Sequence, residues 1–218
     1  MADTAQLVTN SDSELVPTPN EDALPRRFAD FATFGEALDY AAKGKRGLNF
    51  HDPRGRLVRP YPFAELRADA LAMARRLMAR GIGKGDRIAL IAETGADFAA
   101  LFCGAIYAGA WPVPLPLPTS FGGKDNYIDQ IAVQMESAEP KILFYPEEIA
   151  GMAQAAAERQ GCLGLSWQDF AREEAIDAAL PEISPDDICF LQYSSGSTRF
   201  PHGVAVTPRS LLSTLAAH

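Results

Sequence analysis

At 218 residues the chain is long enough to bury a sizeable core, and its formal net charge of −8 argues against a nucleic-acid partner, which needs a basic footprint. A hydrophobic share of 47% with 22% charged residues is the composition of ordinary globular material. The three cysteines, Cys103, Cys162 and Cys189, are far apart and odd in number, so they form neither a metal spacing nor a disulfide framework, and a reducing cytoplasm is the natural compartment.

Residues 1–27 lack periodicity and read as a mobile leader, with residues 28–218 as the folded unit. Met1 to Asn20 has no apolar core segment, which excludes a signal peptide there. Phe34 to Ala42 predicts a short helix. Gly47–Phe50 and Leu57–Arg59 predict a hairpin across Asp52-Pro53-Arg54-Gly55, a turn signal. An amphipathic helix follows, with Pro62 at its start, Phe63, Leu66, Ala70, Met73 and Leu77 on one face, and Gly81 at its end. Gly81-Ile82-Gly83-Lys84-Gly85 reads as a helix stop and turn.

Ile88 to Ala92 predicts a buried strand, Ala96 to Ala110 a mostly buried helix and Val113 to Leu117 an extended stretch. No charge occurs from Phe98 to Gly123, but Pro112, Pro114, Pro116 and Pro118 leave a helix pattern of about 14 residues, short of the roughly 20 a bilayer span needs. A helix is expected from near Asn126, a strand over Lys141–Tyr145, and a helix over Pro146–Gln160 closed by Gly161. A short strand near Leu165 and a helix from Gln168 come next. Asp187 to Tyr193 predicts a strand and Val204-Ala205-Val206 a second short one, with Thr207 and Pro208 capping a final helix. Such alternation argues for an α/β fold, helices covering a mainly parallel sheet.

The run Tyr193-Ser194-Ser195-Gly196-Ser197-Thr198-Arg199-Phe200-Pro201-His202-Gly203-Val204 is where the chemistry concentrates. Gly196 allows close backbone approach to a ligand, successive N–H groups form a nest for anionic oxygens, and four hydroxyls supply further donors. Composition alone also fits a solvated Ser/Gly loop between a strand and a helix. The Walker A pattern Gly-x-x-x-x-Gly-Lys-Ser/Thr does not occur, and Tyr193 stands where a Gly-x-Ser-x-Gly elbow would need a glycine. Asp186-Asp187 reads as a solvated approach to the strand rather than a metal site, and Glu147-Glu148 as the acidic first turn of a helix.

The order of residues resembles the phosphate-loop signature of the adenylate-forming superfamily, Tyr-Thr-Ser-Gly-Ser-Thr-Gly-x-Pro-Lys-Gly-Val. Tyr193, Ser195 to Thr198, Pro201, Gly203 and Val204 stand in register, Ser194 replaces Thr, Arg199 replaces Gly and His202 replaces Lys. Arg199 resembles the fatty acyl-AMP ligase branch, as does Pro118-Thr119-Ser120-Phe121-Gly122-Gly123. Tyr61 to Leu66, and Gly85 to Leu90 with Phe102 to Ala110, are similar to the family's earlier core regions, the latter packing helix against sheet through small residues.

The resemblance implies part of the large N-terminal α/β domain of an enzyme that joins a fatty acid to ATP, giving acyl-adenylate and pyrophosphate. It implies ATP and Mg²⁺ as cofactors, an acyl carrier protein as acceptor, and phosphate binding by Ser194, Ser195, Gly196, Ser197, Thr198, Arg199 and Gly203. The family's adenine, ribose, magnesium and acyl contacts and its catalytic lysine lie beyond this loop, so no catalytic or metal-binding residue is expected here. The chain is expected to be an N-terminal fragment that does not turn over alone. An acyl-CoA synthetase or amino-acid adenylation domain, or a non-catalytic nucleotide-binding module, stand as alternatives.

Overall fold

The structure, a computed structural model, describes residues 24–25, 27–118, 123–193 and 203–217. The expected leader lies outside the described residues up to position 23; Leu24 packs against Gly44, and the Tyr40 hydroxyl donates to the Pro25 carbonyl at 2.7 Å. Helix α1 (Phe34–Ala41) leads to an antiparallel hairpin of β1 (Gly47–His51) and β2 (Leu57–Pro62), irregular between Phe50 and His51. Helix α2 (Phe63–Ala79) follows directly, with Pro62 as its N-cap rather than its first helical residue. It stops where Gly81 turns left-handed and Ile82 N–H reaches back to the Leu77 carbonyl at 3.0 Å.

The centre is a parallel sheet of β3 (Arg87–Ile91), β4 (Trp111–Leu115), β5 (Ile142–Tyr145) and β6 (Leu163–Ser166), in the order β4-β3-β5-β6. Between the strands run α3 (Ala96–Tyr107), α4 (Lys124–Ala138) and, after a 3₁₀ turn at Glu147–Ile149, α5 (Ala150–Gln160). Strand alternation sorts the core into two layers. Ile88, Leu90, Ile142 and Phe144 face α2, α3 and the short helix α6 (Trp167–Ala171), whereas Ala89, Ile91, Val113, Leu115, Leu143 and Tyr145 face α4 and α5. A parallel sheet covered on both faces explains why residues 88–91 and Ile142–Tyr145 read as continuous apolar runs. The α/β reading of the sequence holds.

Several boundaries differ for identifiable reasons. Helix α3 ends at Tyr107, before the expected Ala110, because Gly109 adopts φ 72° and Ala110 N–H bonds the Ala105 carbonyl. Strand β4 begins at Trp111 rather than Val113 and therefore contains Pro112 and Pro114. Trp111 N–H points to the Asp86 carbonyl beside β3, so the two prolines direct their missing donors to the opposite edge. One small residue of α3 departs from the expected packing against the sheet. Gly104 faces a helix, not the sheet: a Cβ there would sit 2.7 Å from Met73 Cβ and 2.8 Å from the Ala70 carbonyl oxygen of α2.

The last elements are β7 (Phe190–Tyr193), β8 (Gly203–Val206) and α7 (Pro208–Ala216). Strand β7 is shorter than the expected Asp187–Tyr193, since Asp187 is held in a turn by its own side chain. β7 lies beside β4, yet the two form no ladder. Pro112 and Pro114 leave that edge of β4 without two of its donors. β7 pairs with β8, antiparallel.

Candidate functional site

Of the residues expected to bind phosphate, Ser194, Ser195, Gly196, Ser197, Thr198 and Arg199 lie outside the described residues, as does His202; Gly203 is described. The structure defines their seat. Tyr193 ends β7 and Gly203 opens β8, and the two are register partners, so the nine residues 194–202 begin and end side by side. The segment therefore joins two antiparallel strands, not a strand to a helix as in the solvated-loop reading. Gly203 is needed for packing rather than for a left-handed turn: a Cβ there would meet the Tyr193 ring at 3.0–3.3 Å, and no positive φ occurs.

Both legs of the hairpin are braced. Cys189 N–H donates to the Val206 carbonyl at 2.7 Å, extending the ladder one step beyond β7. Asp187 pairs with Lys84, in the turn before β3, at 2.7 Å, and accepts Ser184 N–H at 2.7 Å. Asp186 accepts from Nε and Nη2 of the Arg209 guanidinium, at 2.7 and 2.9 Å, while Arg209 N–H bonds the Pro185 carbonyl. Thr207 and Ser210 form the capping box that starts α7, with Pro208 as its first residue, as the sequence predicts. The adjacent aspartates, both on the approach to β7, thus tie that leg to the turn before β3 and to α7, which follows β8.

Arg209 holds the Asp186 carboxyl below the usual carboxylate range, and Lys84 with the Ser184 N–H does the same for Asp187. A depressed folded-state pKa means the stabilisation is complete above the ordinary aspartate value of about 3.9 and is lost as pH falls through the lower folded-state value. Hydrogen exchange at Arg209 and Cys189 is therefore expected to lose protection below about pH 4, and an Asp186→Asn/Asp187→Asn chain to lack that acid step. Exposed pairs are individually weak, so the step is small and fades with added salt.

Apolar contacts complete the seat. Phe190 packs on Phe102 of α3 with ring centroids 5.6 Å apart, while Leu191 and Tyr193 lie against the α4/α5 layer. Cys103 and Cys189 are buried, free thiols pushed up to about 12 by burial, which makes them inert small hydrophobes at neutral pH.

The strand order reverses between β3 and β5, the place where open α/β sheets receive ligands at the carboxyl ends of their strands. Glu93 follows β3 there, its carboxyl raised by burial and by the neighbouring Glu148 and Asp97. Sequence reading passed over Glu93, although an acidic residue just after a buried strand was a usable signal. Three carboxylates repel phosphate, so this grouping is unsuited to an anion. Beside it, a hollow of about 470 Å³ is lined by Phe34, Leu48, Phe50, Phe98 and Phe102, with Glu93 to Gly95 at its rim. Among the described residues no group of three His, Cys, Asp or Glu side chains could hold a metal ion. Asp186 and Asp187 are engaged by cations of the protein itself, so these two residues do not fit a Mg²⁺ site.

Residues 55–218 match the AMP-binding enzyme family. A Caulobacter vibrioides (strain NA1000 / CB15N) protein provisionally named acyl-CoA synthetase is 43% identical over 207 residues, which cover 94% of this chain and 36% of that protein. The long-chain-fatty-acid–AMP ligase FadD32 of Mycolicibacterium smegmatis (strain ATCC 700084 / mc(2)155) is 29% identical over 188 residues, covering 81% and 27%. A solved structure from structural and functional studies of fatty acyl-adenylate ligases from E. coli and L. pneumophila aligns with a TM-score of 0.84 at 39% identity, covering 88% of this chain and 35% of that one. The chain thus spans about a third of the length of these relatives. The parallel sheet, its helical layers and the signature spanning β7 and β8 agree with that match: the chain belongs to the AMP-binding family of adenylate-forming acid ligases.

Proposed function

We propose that the chain is the N-terminal part of a fatty acyl-AMP ligase and supplies the phosphate-binding half of its ATP site. One observation carries this: the signature Tyr193–Val204 begins and ends on a braced antiparallel pair at the edge of the parallel sheet. In the reaction a fatty-acid carboxylate oxygen attacks the α-phosphorus of ATP. The bond from that phosphorus to the bridging oxygen breaks, and pyrophosphate leaves with the electron pair. The proposed work of residues 194–199 is to hold the β- and γ-phosphates through backbone N–H groups, hydroxyls and the Arg199 cation, fixing the leaving group as its charge grows. Gly203 is assigned to the seat of the segment rather than to direct contact.

Arg199 and the likeness to fatty acyl-adenylate ligases support a fatty acid as substrate and a carrier protein as acyl acceptor. A CoA-forming ligase is the second reading, favoured by the name of the Caulobacter relative. Three unpaired cysteines support a cytoplasmic setting, and among the described residues no helix is long and apolar enough to cross a membrane. Residues 1–27 are proposed as a leader and 28–218 as one folded unit.

The remaining contacts of the family's active site follow the phosphate loop in sequence. The pure 218-residue chain is therefore expected to give no fatty acid-dependent ATP–pyrophosphate exchange above a no-protein control. Exchange by the chain alone would contradict that division of the site.

A further inference from the structure

We infer that Tyr193 is a positioning residue: its ring, laid across Gly203, fixes the spacing of the two strand ends from which the proposed phosphate-binding residues spring. The inference rests on the phosphate-binding reading above and adds to it a residue that touches no phosphate. The geometry is specific. Tyr193 and Gly203 are the terminal pair of a ladder only four pairs long. A Cβ on Gly203 would stand 3.0 Å from Tyr193 Cζ, 3.2 Å from its hydroxyl oxygen and 3.3 Å from Cε1, so the ring lies directly over the bare glycine.

That arrangement answers a structural weakness. Two-stranded ladders are marginal by themselves, and a glycine in a strand contributes neither packing nor rigidity. Gly203, Val204 and Ala205 are exposed, so β8 gains little from burial. An aromatic ring placed across a strand glycine restores the lost packing. The same ring is half-buried against the α4/α5 layer together with Leu191, so it ties the terminal pair to the body of the protein. Binding constellations have to be held within about 0.5 Å of their productive geometry, and on the proposed reading this makes the spacing of the two ends a determinant of affinity.

The test is isothermal titration of inorganic pyrophosphate into the 218-residue chain, with thermal unfolding followed in parallel. Tyr193→Phe keeps the ring and is expected to bind within about twofold of the parent, whereas Tyr193→Ala and Gly203→Ala each weaken binding about three- to tenfold. Because both single changes break one contact, Tyr193→Ala/Gly203→Ala is expected to be no weaker than the poorer single variant. A purely structural role would lower the melting temperature and leave the affinity of the folded protein unchanged. Unchanged affinity in folded Tyr193→Ala or Gly203→Ala, or additive losses in the double variant, overturns the positioning role and leaves the phosphate-binding reading standing. Failure of the parent chain to bind pyrophosphate overturns both.

Discussion

Gly104→Ala is expected to destabilise the chain by about 1–2 kcal/mol, although alanine is the better helix former by roughly 1 kcal/mol. Glycine in mid-helix costs backbone entropy, so the substitution starts with a gain. The added Cβ then meets Met73 Cβ at 2.7 Å, the Ala70 carbonyl oxygen at 2.8 Å and Ala74 N at 3.1 Å. Two of these three are backbone atoms of α2 and cannot move aside as a flexible side-chain tip would. The α2 and α3 axes must separate, and the buried layer of Leu66, Ala70, Leu77 and Leu101 between them loses density. Gly104→Val gains less propensity and adds more bulk, so about 3 kcal/mol is expected. Gly151 of α5 is the control: nothing lies within 4 Å of its virtual Cβ, so Gly151→Ala is expected to stabilise by about 0.5 kcal/mol. Urea denaturation of the three variants checks both the magnitudes and the opposite signs of the two alanines.

Phe144→Ala is expected to cost about 3–5 kcal/mol, the range for truncating a buried aromatic residue. Phe144 is 0% exposed at the centre of β5. It stacks on Trp167 with centroids 6.2 Å apart and packs on Phe170 at 4.7 Å, so three rings join the sheet to α6. The cavity left by its removal is enclosed by β-sheet on one side and aromatic rings on the other, and neither collapses easily. Phe144→Leu keeps most of the volume and is expected to recover more than half of the loss. If denaturation midpoints of Phe144→Ala and the parent coincide, the aromatic cluster is not part of the cooperative core.

Much of this architecture was legible in the residues themselves. Uninterrupted apolar runs at residues 88–91 and Ile142–Tyr145 mark strands buried on both faces, and Gly81 and Gly161 stop their helices through the left-handed turns that only glycine makes cheaply. Thr207-Pro208 opens α7 through local bonds alone, which is why sequence reading found it. Pairing choices were not legible. That β7 forms no ladder with its neighbour β4 fits Pro112 and Pro114 stripping donors from one edge of β4, and only the register with β3 reveals which edge that is. The bonds of Asp187 to Lys84 and of Asp186 to Arg209 are likewise tertiary, so the acidic pair looked merely solvated. Gly203 read as a phosphate ligand because it belongs to the signature; its tight fit beneath the Tyr193 ring needs coordinates.

Affinity for ATP in the parent chain and in Gly196→Asp measures the central claim most directly. Aspartate adds a side chain where the backbone must approach phosphate, and a like charge close to it costs several kcal/mol at protein-surface dielectric. ATP binding by the parent and a loss of at least about tenfold in Gly196→Asp, with an unchanged denaturation midpoint, are the expected results. Equal ATP affinity in the two proteins would contradict the claim.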